Sequence, residues 1–204
     1  MLRAMTVHTP TLTGETVELT PMTEADAGDL LIAAGEPATF RWFTTPPTPW
    51  TEAGMAAYCR RLIDEPTIRP YTARLRATGE AVGSTTYCDI RPVHRGVEIG
   101  WTWYAPAQRG TRVNPECKLL MLGHAFAGGL FGEPAFRVCL KTDARNERSR
   151  AAILKLGAVF EGIMRSHVIM PDGHRRDSPL YSITEAEWPA IERGLRARLA
   201  KYAH

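Results

Sequence analysis

The chain has 204 residues, 44% hydrophobic and 23% charged, with a formal net charge of +3. That length and composition fit one soluble globular domain, and so mild a charge without a basic stripe argues against a nucleic-acid binder. No apolar run approaches a membrane span, Met1–Thr13 lacks the apolar core of a signal peptide, and Cys59, Cys88, Cys117 and Cys139 form no metal or redox spacing. A cytoplasmic protein with reduced, mostly buried thiols and no metal is expected.

In chain order, Leu12–Leu19 reads as a first strand, with Gly14 in an early turn. Thr23 and Asp26 bracket a capping-box-like helix start, Leu30, Leu31 and Ala34 continue it, and Gly35 stops it. Phe40–Pro49 is an aromatic, proline-rich loop, after which Thr51 caps a helix carrying Met55, Tyr58, Cys59 and Leu62. Tyr71–Ala77 and Glu80–Ile90 flank the hairpin turn Thr78-Gly79, and Gly96–Tyr104 adds a third strand. Strict alternation there puts Val97, Ile99, Trp101 and Trp103 on one face and Glu98, Gly100, Thr102 and Tyr104 on the other.

A short basic loop follows, Gln108 to Lys118, running into a helical pattern over Leu119–Leu130. Asn114 is a preferred N-cap and Pro115 a preferred first helical residue. A strand, a loop with free amides and a helix N-terminus facing it form a phosphate-binding geometry. Arg109 and Arg112 add charge on the same side. Beyond it, Phe136–Thr142 reads as a strand, Asn146–Leu156 as a helix closed by Gly157, and Val159–Met170 and Arg175–Ile183 as strands about the turn Pro171-Asp172-Gly173. Thr184 and Glu187 cap a last helix over 185–202 with Trp188, Ile191, Leu195 and Leu199. The order β-α-α-β-β-β-α-β-α-β-β-α argues for a single mixed sheet with helices on both faces, an α/β (α+β) protein, over a 1–204 domain whose core spans about 12–188. The last helix packs on its own sheet or on a second subunit, leaving monomer or homodimer open; self-packing is the expectation.

Three segments carry a resemblance: Glu98-Ile99-Gly100, Arg109-Gly110-Thr111-Arg112-Val113-Asn114, and Asn146 through Ile153 followed by Leu156-Gly157-Ala158. In this order and spacing the chain resembles the GNAT superfamily of acyl-CoA-dependent N-acetyltransferases, and within it the RimJ/RimL-like branch of ribosomal-protein N-terminal acetyltransferases. The resemblance implies a GNAT-type fold with a mostly antiparallel twisted sheet flanked by helices. It implies acetyl-CoA as co-substrate, its pyrophosphate on Arg109, Gly110, Thr111, Arg112, Val113 and Asn114. The family has Gly where Arg112 stands, so that Arg112 must either permit close approach of its backbone or bind phosphate with its guanidinium.

By the same resemblance, Asn146 meets the pantetheine arm, and a backbone N–H near Thr102 or Trp103 meets the acetyl oxygen. Arg145, Arg148 and Arg150 are candidates for the adenosine phosphates or for a solvated basic face. Glu98 is the first choice of general base and His167 a spare. The family's leaving-group Tyr is replaced by Ile153, which leaves Ser149 to meet the thiolate. Trp42, Phe43, Trp101 and Tyr181 are candidates for the acceptor pocket, beside Arg41 and Tyr87; His124 reads as structural. The acceptor is a protein N-terminal α-amine or a small amine, and a non-catalytic acyl-CoA sensing module is the alternative function.

Overall fold

The computed structural model describes residues 9–202, so that the two ends of the 1–204 span lie outside the described residues. Its elements are β1 (Leu12–Thr13), β2 (Val17–Pro21), α1 (Ala27–Ala34), α2 (Glu52–Asp64), β3 (Arg69–Leu75), β4 (Ala81–Arg91), β5 (Gly96–Tyr104), α3 (Val113–Phe126), β6 (Arg137–Lys141), α4 (Glu147–Leu156), β7 (Val159–Ile169), β8 (Arg175–Thr184) and α5 (Trp188–Ala200). The strands form one sheet in the order β1-β2-β3-β4-β5-β6-β8-β7. All neighbours pair antiparallel except β5 and β6, which run parallel.

Two hydrophobic clusters cover the two faces. On one, Cys117, Met121 and Leu122 of α3, Ile153 and Leu156 of α4, and Trp188 and Leu195 of α5 pack on Val97, Val138 and Ile183 of the sheet. On the other, Leu30 of α1 and Met55, Tyr58 and Leu62 of α2 pack with Phe40, Cys88 and Trp103. Burying one such side chain contributes roughly 1.5–3 kcal/mol. The last helix packs on its own chain, Trp188 stacking on Phe126 of α3 with ring centroids 5.5 Å apart. All four cysteines are free and buried.

Two strand expectations are corrected. The first strand is a small hairpin, because Gly14 N–H bonds to Val17 O and turns the chain between β1 and β2. Gly14 is needed there: a Cβ would lie 2.3 Å from Oε1 of Glu116, the atom that accepts the Thr16 N–H. The second correction concerns β5, whose alternation breaks at Trp101, with φ +49, where the pairing with β4 slips. A bulge inserts one residue and reverses which side chains face which way. Val97, Ile99 and Tyr104 therefore pack on the α3 side, while Trp103 lies, and Trp101 packs, on the α1–α2 side. Glu98 shares that second face with Cys88, its partner across the strand pair.

Candidate active site

Strand β5 stays paired with β6 for only three residues, Gly96↔Arg137, Val97↔Val138 and Glu98↔Cys139. Past Glu98 the parallel strands separate. A cavity of about 880 Å³ fills the fork, lined by Glu98 through Tyr104 of β5, Leu140 and Lys141 of β6, and the starts of α3 and α4. Parallel strands joined by a helix bring their carboxyl ends to the same edge, and the helix after β5 starts at that edge. The sheet thus makes the fork, and the chain order puts two helix N-termini beside it.

At one end the donors are mainly backbone. Helix α3 begins at Val113, so Asn114 and Pro115 sit inside its first turn rather than at its cap and first position. Gly110 takes φ +81, a left-handed conformation that glycine enters without a Cβ penalty. Among the described residues, the N–H groups of Gly110, Thr111 and Arg112 have no protein acceptor. Arg109, Gly110 and Asn114 line the cavity, together with Arg148 of α4 and Arg198 of α5. Burial and the neighbouring Arg148 charge depress the pKa of Arg109, and none of these three arginines has an ion-pair partner among the described residues. Free amides and unpaired guanidiniums at a helix N-terminus suit a pyrophosphate. Asn146 caps α4, its Oδ1 accepting the Ser149 N–H at 3.1 Å, and both residues line the cavity.

Three of the proposed loop residues do not line it. Val113 is buried in the core, and the Thr111 hydroxyl bonds back to Gln108 O. The Arg112 guanidinium turns to Glu15 and Glu116, which leaves its backbone, not its side chain, toward the loop. Arg145 is likewise held by Asp143, and Arg150 by Ala144 O.

The other end is built from side chains. Glu98 is 8% exposed and pairs with Lys141 at 2.8 Å. Burial raises the pKa of Glu98, and the Lys141 charge and hydrogen bond oppose that rise. Arg61, Trp42, Phe43, Trp101, His167 and Arg176 line the same end. His167 is not a plain strand-surface residue: Ser166 takes φ +48, with its N–H on Asp177 Oδ1 at 2.7 Å, and the kink turns His167 inward. Trp42 meets the guanidiniums of Arg41 and Arg145, 4.8 and 5.3 Å from its ring centre. Tyr181 is corrected: it is 1% exposed, within the α3-side core and against Phe160. Tyr87 is core too, donating to Met121 O, and His124 packs beside it.

Sequence reasoning missed Lys118, Lys141 and Arg176. Lys118 lies four residues after Asn114, hence on the same face of α3, a signal present in the sequence. Its Nζ donates to the Thr102 and Thr85 hydroxyls at 2.9 and 3.2 Å, and Thr102 in turn donates to Gly100 O across the bulge. Burial pushes its pKa down to about 8. Lys141 and Arg176 have no local signal, because only strand pairing brings them to Glu98 and His167.

A model of the acetyltransferase (GNAT) domain matches residues 16–159. No curated protein matches. Among solved structures the chain is similar to a presumed acetyltransferase from T. thermophilus, 33% identical over 96% of this chain and 100% of that one, with a TM-score of 0.85. It shares its fold with a GCN5-related N-acetyltransferase from Brucella melitensis, 24% identical over 93% and 85% of the two chains, at a TM-score of 0.83. It also shares it with RimJ from Mycobacterium smegmatis in complex with CoA-disulfide, 23% identical over 89% and 88%, at 0.73.

Proposed function

The chain belongs to the GNAT family and is an acetyl-CoA-dependent acetyltransferase, and from that premise we propose that it transfers acetyl directly to a primary amine in the forked cavity. The observation that carries the reading is Glu98 at the fork, paired with Lys141, in the same cavity that Gly110 and Asn114 line. The acceptor is a protein N-terminal α-amine or a small amine, the first supported by the RimJ/RimL-like motifs. The second sequence-based possibility, a sensing module without chemistry, gives way to the family assignment.

The proposed binding mode puts the pyrophosphate on the amides of Gly110, Thr111 and Arg112 and on Arg109, with Asn114 at the helix start. Asn146 takes the pantetheine arm. An α-amine, with a pKa near ~8, needs little help to lose its proton at neutral pH, and Glu98 takes that proton directly or through one water. The nitrogen then adds to the thioester carbonyl, and a backbone N–H at Thr102 or Trp103 meets the oxyanion. Collapse breaks the C–S bond, and the thiolate leaves with a hydrogen bond from Ser149 and takes up the second proton, which the nitrogen sheds as the amide forms. A thiol of ordinary pKa ~8.5 is a good leaving group, which tolerates Ile153 in place of an acid.

Free-thiol release from acetyl-CoA across peptides and amines tests the reading. Release that depends on acceptor is expected; tight acetyl-CoA binding with release no faster than hydrolysis for every acceptor would sink it.

A further inference from the structure

Two cations at the acceptor end, Arg61 and Arg176, have no ion-pair partner among the described residues. The carboxylates that approach it from the elements packed there are each engaged. Glu98 pairs with Lys141. Glu65, just past α2, accepts from the Thr67 hydroxyl at 3.0 Å. Asp143 is held by two bonds from the Arg145 guanidinium and one from its N–H. Asp177 accepts the Ser166 N–H and so faces the kink of β7. Asp89, at the end of β4, sits 3.5 Å from Arg91. The cations are less fully matched. Arg176 of β8 has its Nε on the Ser178 hydroxyl at 2.9 Å, and no carboxylate within ion-pair distance among the described residues. Arg61 is in the same position, bonded to Thr45 O and stacked on Trp101 and Tyr58.

The fork of Arg176 is therefore half committed. Ser178 fixes the guanidinium by Nε and is itself bonded to His167 Nδ1 at 3.1 Å, so the group is aimed rather than free. Its other edge, on a cavity wall, has no protein acceptor among the described residues. A partly buried guanidinium with one edge fixed and one edge open costs desolvation unless a ligand supplies the counter-charge, and its planar geometry matches an oxyanion. Burial lowers the Arg176 pKa despite the nearby charges of Asp143 and Glu98.

We infer that the acceptor end selects an amine carrying its own oxyanion, a carboxylate or a phosphate, which Arg176 binds while Glu98 receives the amine. This rests on the acetyl-transfer reading and narrows its substrate class. A polycationic acceptor brings no oxyanion to Arg176 and is disfavoured against an anionic one.

The test is thiol release by the full chain with matched acceptors: β-alanine against propylamine, phosphoethanolamine against ethanolamine, and peptides beginning Ala-Asp against Ala-Asn. Spermidine is the polycation. In at least one pair the anionic member should have a kcat/KM about 10-fold higher or more, the range of a charge-assisted hydrogen bond; the pair identifies the source of the oxyanion. Arg176→Gln should bring that ratio close to one, and Arg176→Lys, which keeps charge but not the fork, should retain part of it. Arg165→Gln, exposed on the same hairpin, should leave the ratio unchanged. Equal use of both members of every pair, a preference for spermidine, or a ratio untouched in Arg176→Gln overturns the inference while acetyl transfer stands. Release no faster than hydrolysis with every acceptor overturns both.

Discussion

The two ends of the cavity are made from different materials. The proposed coenzyme end uses consecutive amides at Gly110–Arg112, a capping Asn146, and arginines at 109 and 148, all within two short stretches of chain. The acceptor end uses Glu98, Lys141, His167, Arg176 and Arg61, drawn from β5, β6, β7, β8 and α2. Backbone donors at a helix start are fixed by local geometry and survive most substitutions. Side chains from five elements depend on the sheet register and on the charge of every neighbour. The first design suits a ligand that never changes, the second a substrate that does.

The sharpest way to break the comparison is at Glu98. Glu98→Gln should lower kcat by about 100- to 10,000-fold at neutral pH, the range of a lost general base, with the KM for acetyl-CoA nearly unchanged. Because burial raises the Glu98 pKa, the acid limb of kcat/KM should lie at higher pH than an exposed carboxylate would give. Lys141→Met removes the cation that holds this pKa down, so the acid limb should move to higher pH. Rate profiles of the two variants against pH, taken on protein shown folded by circular dichroism, decide this. Full activity in Glu98→Gln at every pH would return the base role to another group.

Lys118 of α3 lines the same cavity, buried and tied to the bulge through Thr102. Its pKa of about 8, against an ordinary 10.5, corresponds to about 3 kcal/mol. The sign follows from proton counting. From pH 8 to 10.5 the unfolded chain holds a proton there that the folded chain has lost, so folding gains stability as pH rises. Below that window the charged form burdens the fold. Lys118→Met should thus be more stable than the parent at neutral pH, and its advantage should shrink by about 3 kcal/mol as pH rises through the window. Urea unfolding of both proteins at neutral and alkaline pH measures it. A difference that does not change with pH would show that Lys118 is stabilised by more than its two threonine partners.

Arg109 probes the backbone end. Arg109→Ala should raise the KM for acetyl-CoA about 10-fold with little change in kcat, because it removes one charge-assisted contact and leaves the amides in place. An equal loss in kcat would mean that the loop orients the thioester as well as holding the phosphates.

The same contrast governs what can be read from residues alone. The strand-loop-helix at Gln108–Lys118 and the cap at Asn146 are legible because both are short-range: a glycine, an Asn and a helical period locate them without knowledge of the sheet. Even there the helix starts at Val113, ahead of the Asn114-Pro115 signal, because Val113 and Cys117 are core positions and packing outweighs capping preference. The acceptor end is not legible. The bulge at Trp101 reverses the alternation of β5, and the kink at Ser166 does the same for His167. Tyr181 passed as a pocket candidate because nothing local distinguishes an aromatic facing the core from one facing a cavity. The Lys141–Glu98 pair needs the parallel register of β5 and β6, which no local pattern encodes.

The smallest expected effect is the most discriminating about Arg112. If its guanidinium bound phosphate, Arg112→Ala would raise the KM for acetyl-CoA as far as Arg109→Ala does. Its side chain instead pairs with Glu15 and with Glu116, four residues on, and Glu116 is buried with its other oxygen on the Thr16 amide. Arg112→Ala should leave the KM within about 2-fold of the parent, since the backbone N–H remains. Its cost should appear in stability, by about 1–3 kcal/mol, because a buried carboxylate loses its cation. Acetyl-CoA titration together with thermal unfolding separates the two roles: a shifted melting point at constant KM assigns Arg112 to the seam between the β1–β2 turn and α3, and a raised KM at constant melting point returns it to the phosphates.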